Sequence, residues 1–163
     1  MQADGVIGKY AIGAVGATLC LEPAATLDID VFVMLPMNEG GSLLSLSPIY
    51  DYLREQGGTL QHEHIVIGGW PVQFRPPANE LEREAVAEAV AATVQDVLTW
   101  VMRAEHLAAI ALRTGRAKDH IRVLQFVEQN AVDRAKLKSL LERHGLTPKW
   151  QEFERKYLEG SHG

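Results

Sequence analysis

Two hydrophobic periods run through this chain, and the change from one to the other divides it. Thr26-Leu27-Asp28-Ile29-Asp30-Val31-Phe32-Val33-Met34 alternates with a period of two, placing Leu27, Ile29, Val31 and Val33 on one face of a strand. Asp28, Asp30, Phe32 and Met34 fall on the other face. Upstream, Lys9-Tyr10-Ala11-Ile12 is a short apolar run ending at Gly13, and Val15 to Leu21 carries the small apolar residues of a packed helix. Pro36 to Ser45 reads as a loop; Ser47 before Pro48 opens a helix that Gly57-Gly58 closes just after Gln56. Ile65-Val66-Ile67 and Trp70-Pro71-Val72-Gln73-Phe74, joined by Gly68-Gly69, form a hairpin pattern, with Pro71 placing its strand near a sheet edge. Asn79 with Glu82 three residues on opens a helix through Leu81, Val86 and Val90, and Val97 to Met102 is a last strand.

From Ala104 onward the helical period takes over. Helices are expected over Glu105 to Thr114, over Lys118 to Gln129, between Asp133 and Gly145, and from Thr147-Pro148. The chain therefore reads as α/β in the α+β sense: a mixed sheet with flanking helices over residues 1–102, then a helical lobe over 103–160. At 163 residues it suits one compact core or a core with a helical appendage.

Composition narrows the function classes. A net charge of -5 argues against broad binding to DNA or RNA, which requires many neutralised phosphates. No apolar run approaches the roughly 18 residues of a membrane span, and Met1 to Gly5 lacks the basic and apolar regions of a signal peptide, so a cytoplasmic protein with no membrane partner is expected. The one cysteine, Cys20, has no partner for an internal disulfide and reads as a small buried residue.

The chemistry sits around Asp28 and Asp30. Residues two apart on a strand share a face, with their roots about 7 Å apart, so two carboxylates can converge on one cation. Mg²⁺ prefers oxygen ligands and is typically held by one or two carboxylates plus substrate phosphates. Gly13 and Gly16 add a turn that lets backbone approach a phosphate, followed by a helix start that favours an anion. The bland alternatives are a polar outer strand face and an ordinary strand-to-helix turn.

Tyr10 to Ala17, followed by Glu22-Pro23-Ala24-Ala25-Thr26-Leu27-Asp28-Ile29-Asp30-Val31-Phe32-Val33, resembles the glycine and Asp-x-Asp signature of the nucleotidyltransferase superfamily. Glu105-His106-Leu107 followed by Arg113-Thr114-Gly115-Arg116-Ala117-Lys118-Asp119 resembles the helical region of its bacterial minimal and abortive-infection toxin-like branch. The resemblance implies Mg²⁺- or Mn²⁺-dependent transfer of a nucleoside monophosphate from an NTP to a hydroxyl acceptor: an antibiotic, a tRNA end or a protein side chain. It makes Asp28 and Asp30 the catalytic metal carboxylates and sets Gly13 and Ala14 under the triphosphate. It makes Arg113, Arg116 and Lys118 phosphate contacts, and gives Asp119 the orienting of a basic neighbour or a sugar hydroxyl. Partners it implies are a second copy of the chain or an antitoxin.

Three departures bear on activity. Ala14 stands where the family has a small polar or glycine residue, and Arg113 replaces a lysine, keeping charge but changing geometry. Gln73 occupies the expected place of a third carboxylate, and an amide cannot act as a base near neutral pH. Glu63 is a candidate substitute. These departures favour an alternative: a catalytically impaired member acting as a nucleotide-binding or toxin-antitoxin regulatory protein. Outside the signature, His62 and His64 read as surface residues and Trp100 and Trp150 as core. Arg143-His144 reads as cations at a helix C-terminus, and Glu80 to Glu84 as a solvated first turn.

Overall fold

The computed structural model describes Gln2 and residues 7–13, 29–35, 45–62, 64–94 and 96–160. Strand β1 (Tyr10–Ile12) lies antiparallel to β2 (Ile29–Val33), whose other edge runs parallel to β5 (Trp70–Arg75). Helix α1 (Ser47–Glu55) leads into β3 (Thr59–Gln61) and β4 (His64–Ile67), which extend the sheet antiparallel beyond β5. After α2 (Glu80–Ala87), β6 (Val90–Val94) and β7 (Val97–Val101) form a hairpin whose second strand pairs parallel to β1. The result is a mixed seven-stranded sheet in the order β3-β4-β5-β2-β1-β7-β6. Helices α3 (Ala104–Thr114), α4 (Ala117–Glu128), α5 (Arg134–Arg143) and α6 (Thr147–Phe153) follow, with a π turn over Glu154–Leu158. This is the α/β architecture expected from the two periods.

The alternation that defines each strand also divides the core. Val31, Val33, Ile65, Val72 and Phe74 point to one side of the sheet and pack on Ile49 and Leu53 of α1. Ala11 and Phe32 point to the other side, where they join Leu81 and Val86 of α2, Met102, and Leu107, Ala108 and Leu112 of α3. That second cluster continues without a break through Phe126, Leu137, Leu141 and Phe153 of the later helices. Alanines at 108, 109 and 111 let α3 lie close to its neighbours, so it becomes the central helix, packed against α2, α4, α5 and α6. Asp30 follows from the same geometry: it shares a face with Phe32 and points to the helical side.

Several local expectations change. Val90, assigned to the preceding helix by its apolar spacing, instead opens β6: α2 stops at Ala87, and Asp96, at φ +64°, makes the turn into β7. Strand β5 is interior rather than near an edge. Across the two-residue Gly68-Gly69 turn, Ile67 faces Trp70 as the hydrogen-bonded pair, so Pro71 opposite Val66 falls at a position with no amide contact to β4. At α1, Leu46 holds the cap position and the Ser47 amide donates to Ser45 Oγ at 3.2 Å. Asn79 caps α2 as expected, its Oδ1 accepting from the Glu82 amide at 3.0 Å. The helix expected over Val15 to Leu21, with Cys20, lies outside the described residues.

Candidate functional site

Where β1 and β2 meet α2, α3 and α4, the described residues enclose a cavity of about 200 Å³. Gly13, Asp30, Phe32 and Arg75 form its sheet wall; Glu82 enters from α2, Thr114 from the end of α3, and Arg116, Asp119 and Arg122 from α4. The last three recur every third residue, so one face of α4 lines the hollow. Gly115, at φ +70°, ends α3 in the left-handed conformation just before Arg116.

Asp119 is 2% exposed and grips Arg116 with both oxygens, Oδ2 to Nε at 2.7 Å and Oδ1 to Nη2 at 3.2 Å. Oδ2 also accepts from the Arg116 amide at 3.2 Å, closing the first turn of α4. The hydrogen bond to Asp119 is the main reason the Arg116 guanidinium holds its proton more tightly than usual, and the negative charge of Asp30 adds to it. Both carboxylates thus act on one arginine. Arg75 lies over the Phe32 ring at 4.9 Å and 3.8 Å from Glu82 Oε1, while Glu82 Oε2 accepts from the Ala78 amide at 2.6 Å. Three arginines and three carboxylates therefore face one small space. Glu82 and Asp119 are engaged by neighbouring groups, and Asp30 lines the sheet wall of the same space.

Gly13 contributes through its lack of a side chain. A Cβ there would lie 2.7 Å from Phe32 Cε2, and the Gly13 amide is already donated to Asp30 O at 2.9 Å. Its role at the cavity is close approach rather than anion binding by its own N–H. Gln73 sits directly beside Asp30 in the parallel register of β5 and β2. It lines a neighbouring hollow with Tyr50, Asp51 and His62 that meets the cavity at Arg75.

Of the residues singled out in the sequence, Gly13, Asp30, Arg116 and Asp119 come together. Arg113 and Lys118 are exposed and do not line the cavity; the Arg113 carbonyl accepts from Lys149 Nζ at 2.9 Å. Asp28, Ala14 and Glu63 lie outside the described residues. Sequence reasoning missed Arg75, Arg122 and Glu82. Arg75 shares the strand face of Gln73, and Arg122 stands three residues after Asp119 on a helix, so periodicity could have found both. Glu82, assigned to a solvated turn, is buried at 7% exposure because Asn79 starts the helix where that position faces the sheet.

A second polar cluster joins α2, α3 and α5. Glu84 meets His144 Nε2 at 2.6 Å, His106 Nε2 at 3.3 Å and the Arg143 guanidinium. Partial burial of Glu84 alone would raise its pKa, but hydrogen bonds from His144, Arg143 and His106 outweigh it and hold the carboxyl at about 2. Burial pushes His106 below the usual imidazole value despite the carboxylates around it. Its Nδ1 is buried with no hydrogen-bond partner.

The sheet order and the helices closing over Asp30 and Gly13 give the chain a fold similar to that of solved nucleotidyltransferase-like structures. Among solved structures, the chain is similar to an antigenic nucleotidyltransferase-like protein from Paracoccidioides brasiliensis, at TM-score 0.52 and 11% identity over 90% of this chain and 84% of that one. It is also similar to the antibiotic-resistance factor ANT(2'')-Ia, at TM-score 0.50 and 15% identity over 97% of this chain and 91% of that one. No protein-family model and no curated protein matches the sequence. Among the described residues, no helix is long and apolar enough to cross a membrane.

Proposed function

We propose that this protein transfers a nucleoside monophosphate from an NTP to a hydroxyl acceptor. The observation that carries the reading is the convergence of Asp30 with the anchored Arg116 and with Arg122 on one cavity of a nucleotidyltransferase fold. Asp30 offers the hard oxygen donor that Mg²⁺ or Mn²⁺ requires, and Asp28, two residues earlier, supplies the second carboxylate. When bound there, such an ion supplies charge neutralisation on the triphosphate and alignment of the attacking hydroxyl. Arg116, fixed by Asp119, meets phosphate oxygens without paying to order its side chain, and Arg122 on the next turn adds a second cation. Gly13 lets the Phe32 ring pack closely at the sheet wall of the cavity.

Saturating ATP with Mg²⁺ should raise the melting temperature by several degrees, since a ligand at a hundred times its Kd adds about 2.7 kcal/mol. Asp30→Ala should abolish the rise. A parent protein whose melting temperature does not respond to any NTP with Mg²⁺ or Mn²⁺ would sink the proposal.

A second reading rests on Gln73, the amide standing beside Asp30 in the sheet. In it the protein binds nucleotide without transferring it and acts as a sensor or as one half of a toxin-antitoxin pair. Incubation with labelled ATP, divalent metal and cell extract separates the two: label on any acceptor excludes the inactive form, and the chemistry of the labelled species identifies the acceptor.

A further inference from the structure

We infer that Glu84, Glu88 and His106 form a binding site for a transition-metal dication, zinc above all, separate from the nucleotide cavity. One ligand atom from each of the three lies within 4.8 Å of the other two. His106 Nε2 stands 3.3 Å from Glu84 Oε1 and 3.8 Å from Glu88 Oε2. Zinc bonds of about 2.0–2.1 Å in a tetrahedron set ligand atoms about 3.3–3.4 Å apart, so these donors already sit near the required spacing. Glu84 lies in α2 and Glu88 caps its C-terminal end one turn on, and α3 brings His106 against both.

The buried imidazole is the donor that points to a transition metal. His106 is 3% exposed, and its Nδ1 meets no partner, so whichever nitrogen carries the proton, Nδ1 goes unsatisfied. An apolar side chain would fill that space without such a defect. What the ring adds is Nε2, directed at two carboxylates. His144 binds the far oxygen of Glu84 at 2.6 Å, the kind of outer contact that fixes a ligating carboxylate. Arg143 now supplies positive charge to Glu84; with its side chain 52% exposed, it can withdraw as the metal enters.

An entry path exists. A hollow of about 540 Å³ opens onto Glu88, His106 and Arg143 between α3 and α5. The imidazole in the donor set favours zinc over Mg²⁺, which takes oxygen ligands and keeps its water. Bound there, zinc would fasten α2 to α3 and, through Glu84, to the end of α5.

The test uses the full chain, stripped with chelator and titrated with ZnCl₂, bound metal being counted after gel filtration. One zinc per chain and a higher melting temperature are expected, with at least tenfold weaker binding in Glu88→Gln and in His106→Gln. Glu88→Gln is the safer variant, because that side chain is 53% exposed and its loss should leave the fold intact. Asp30→Asn should keep its zinc, separating this site from the proposed nucleotide site whichever way that proposal is decided. Failure of the parent chain to retain zinc would overturn the inference. So would retention undiminished in both ligand variants, which would put the metal elsewhere, for instance on His62 and His64, and so would Mg²⁺ binding as tight as zinc.

Discussion

In the proposed function Arg116 meets phosphate, and Asp119 holds its guanidinium in place. Asp119→Ala removes a two-pronged ion pair and a bond to the first-turn amide at once. Because the Arg116 side chain is 58% exposed, its charge remains solvated after the loss, so the cost should be modest, about 1–2 kcal/mol by urea denaturation. Nucleotide affinity should fall further than stability. At Gly13 the reverse applies: Gly13→Ala drives a methyl to 2.7 Å from the packed Phe32 ring, and overpacking of this kind costs about 1–3 kcal/mol. The polar cluster sets a pH dependence. Glu84 ionises at about 2 in the fold against an ordinary 4.5, so the unfolded chain binds the proton more readily. Its contribution is complete above about pH 4.5 and is lost as pH falls toward 2. His106, pushed below its ordinary 6.5, likewise takes a proton more easily when unfolded, so stability already declines as pH drops past 6.5. Urea midpoints at several pH values should show both phases, with Glu84→Gln flattening the lower and His106→Gln the upper.

At the scale of elements, the hairpin between β4 and β5 follows from two adjacent glycines. Both adopt positive φ, +58° at Gly68 and +85° at Gly69, and nothing lies within 4 Å of a side chain added to either. Backbone preference alone therefore decides a substitution. Gly68→Asn should leave the denaturation midpoint nearly unchanged, because asparagine tolerates the left-handed region, whereas Gly68→Val should cost about 1–2 kcal/mol. Strand β6 shows where local reading fails. Its apolar residues continue the helical spacing of α2 well enough to hide the boundary, and a turn at Asp96 is a weaker signal than Gly68-Gly69. Only the partner strand settles the assignment, since β7 pairs with β6 along its whole length. The strand of Asp30 and the helix of Arg116 and Asp119 were legible because each carries its own period and its own terminator. Arg75, Arg122 and Glu82 lay in equally legible elements, but which face of each would meet the cavity depended on packing.

For the whole molecule, the cluster running from Ala11 and Phe32 through α3 to Phe153 ties the sheet to the later helices. A fragment ending at Met102 would expose Phe32, Leu81, Val86 and Met102, which in the full chain are covered by Leu107, Ala108 and Leu112. It should lack fixed packing, binding a hydrophobic dye and losing near-ultraviolet circular dichroism while keeping secondary structure; the full chain should unfold in one transition. The sequence by itself determined most of the helices, strands β1, β2, β4, β5 and β7, the turn at Gly68-Gly69, and the side of β2 to which Asp30 points. Each depends on periodicity or backbone preference within a few residues. The sheet order, the gathering of Arg75, Arg116 and Arg122 around Asp30, and the meeting of Glu84 with His106 and His144 were decided only by tertiary structure. The residues in these sets stand far apart along the chain, and burial of the shared apolar cluster, which no local pattern encodes, brings them together.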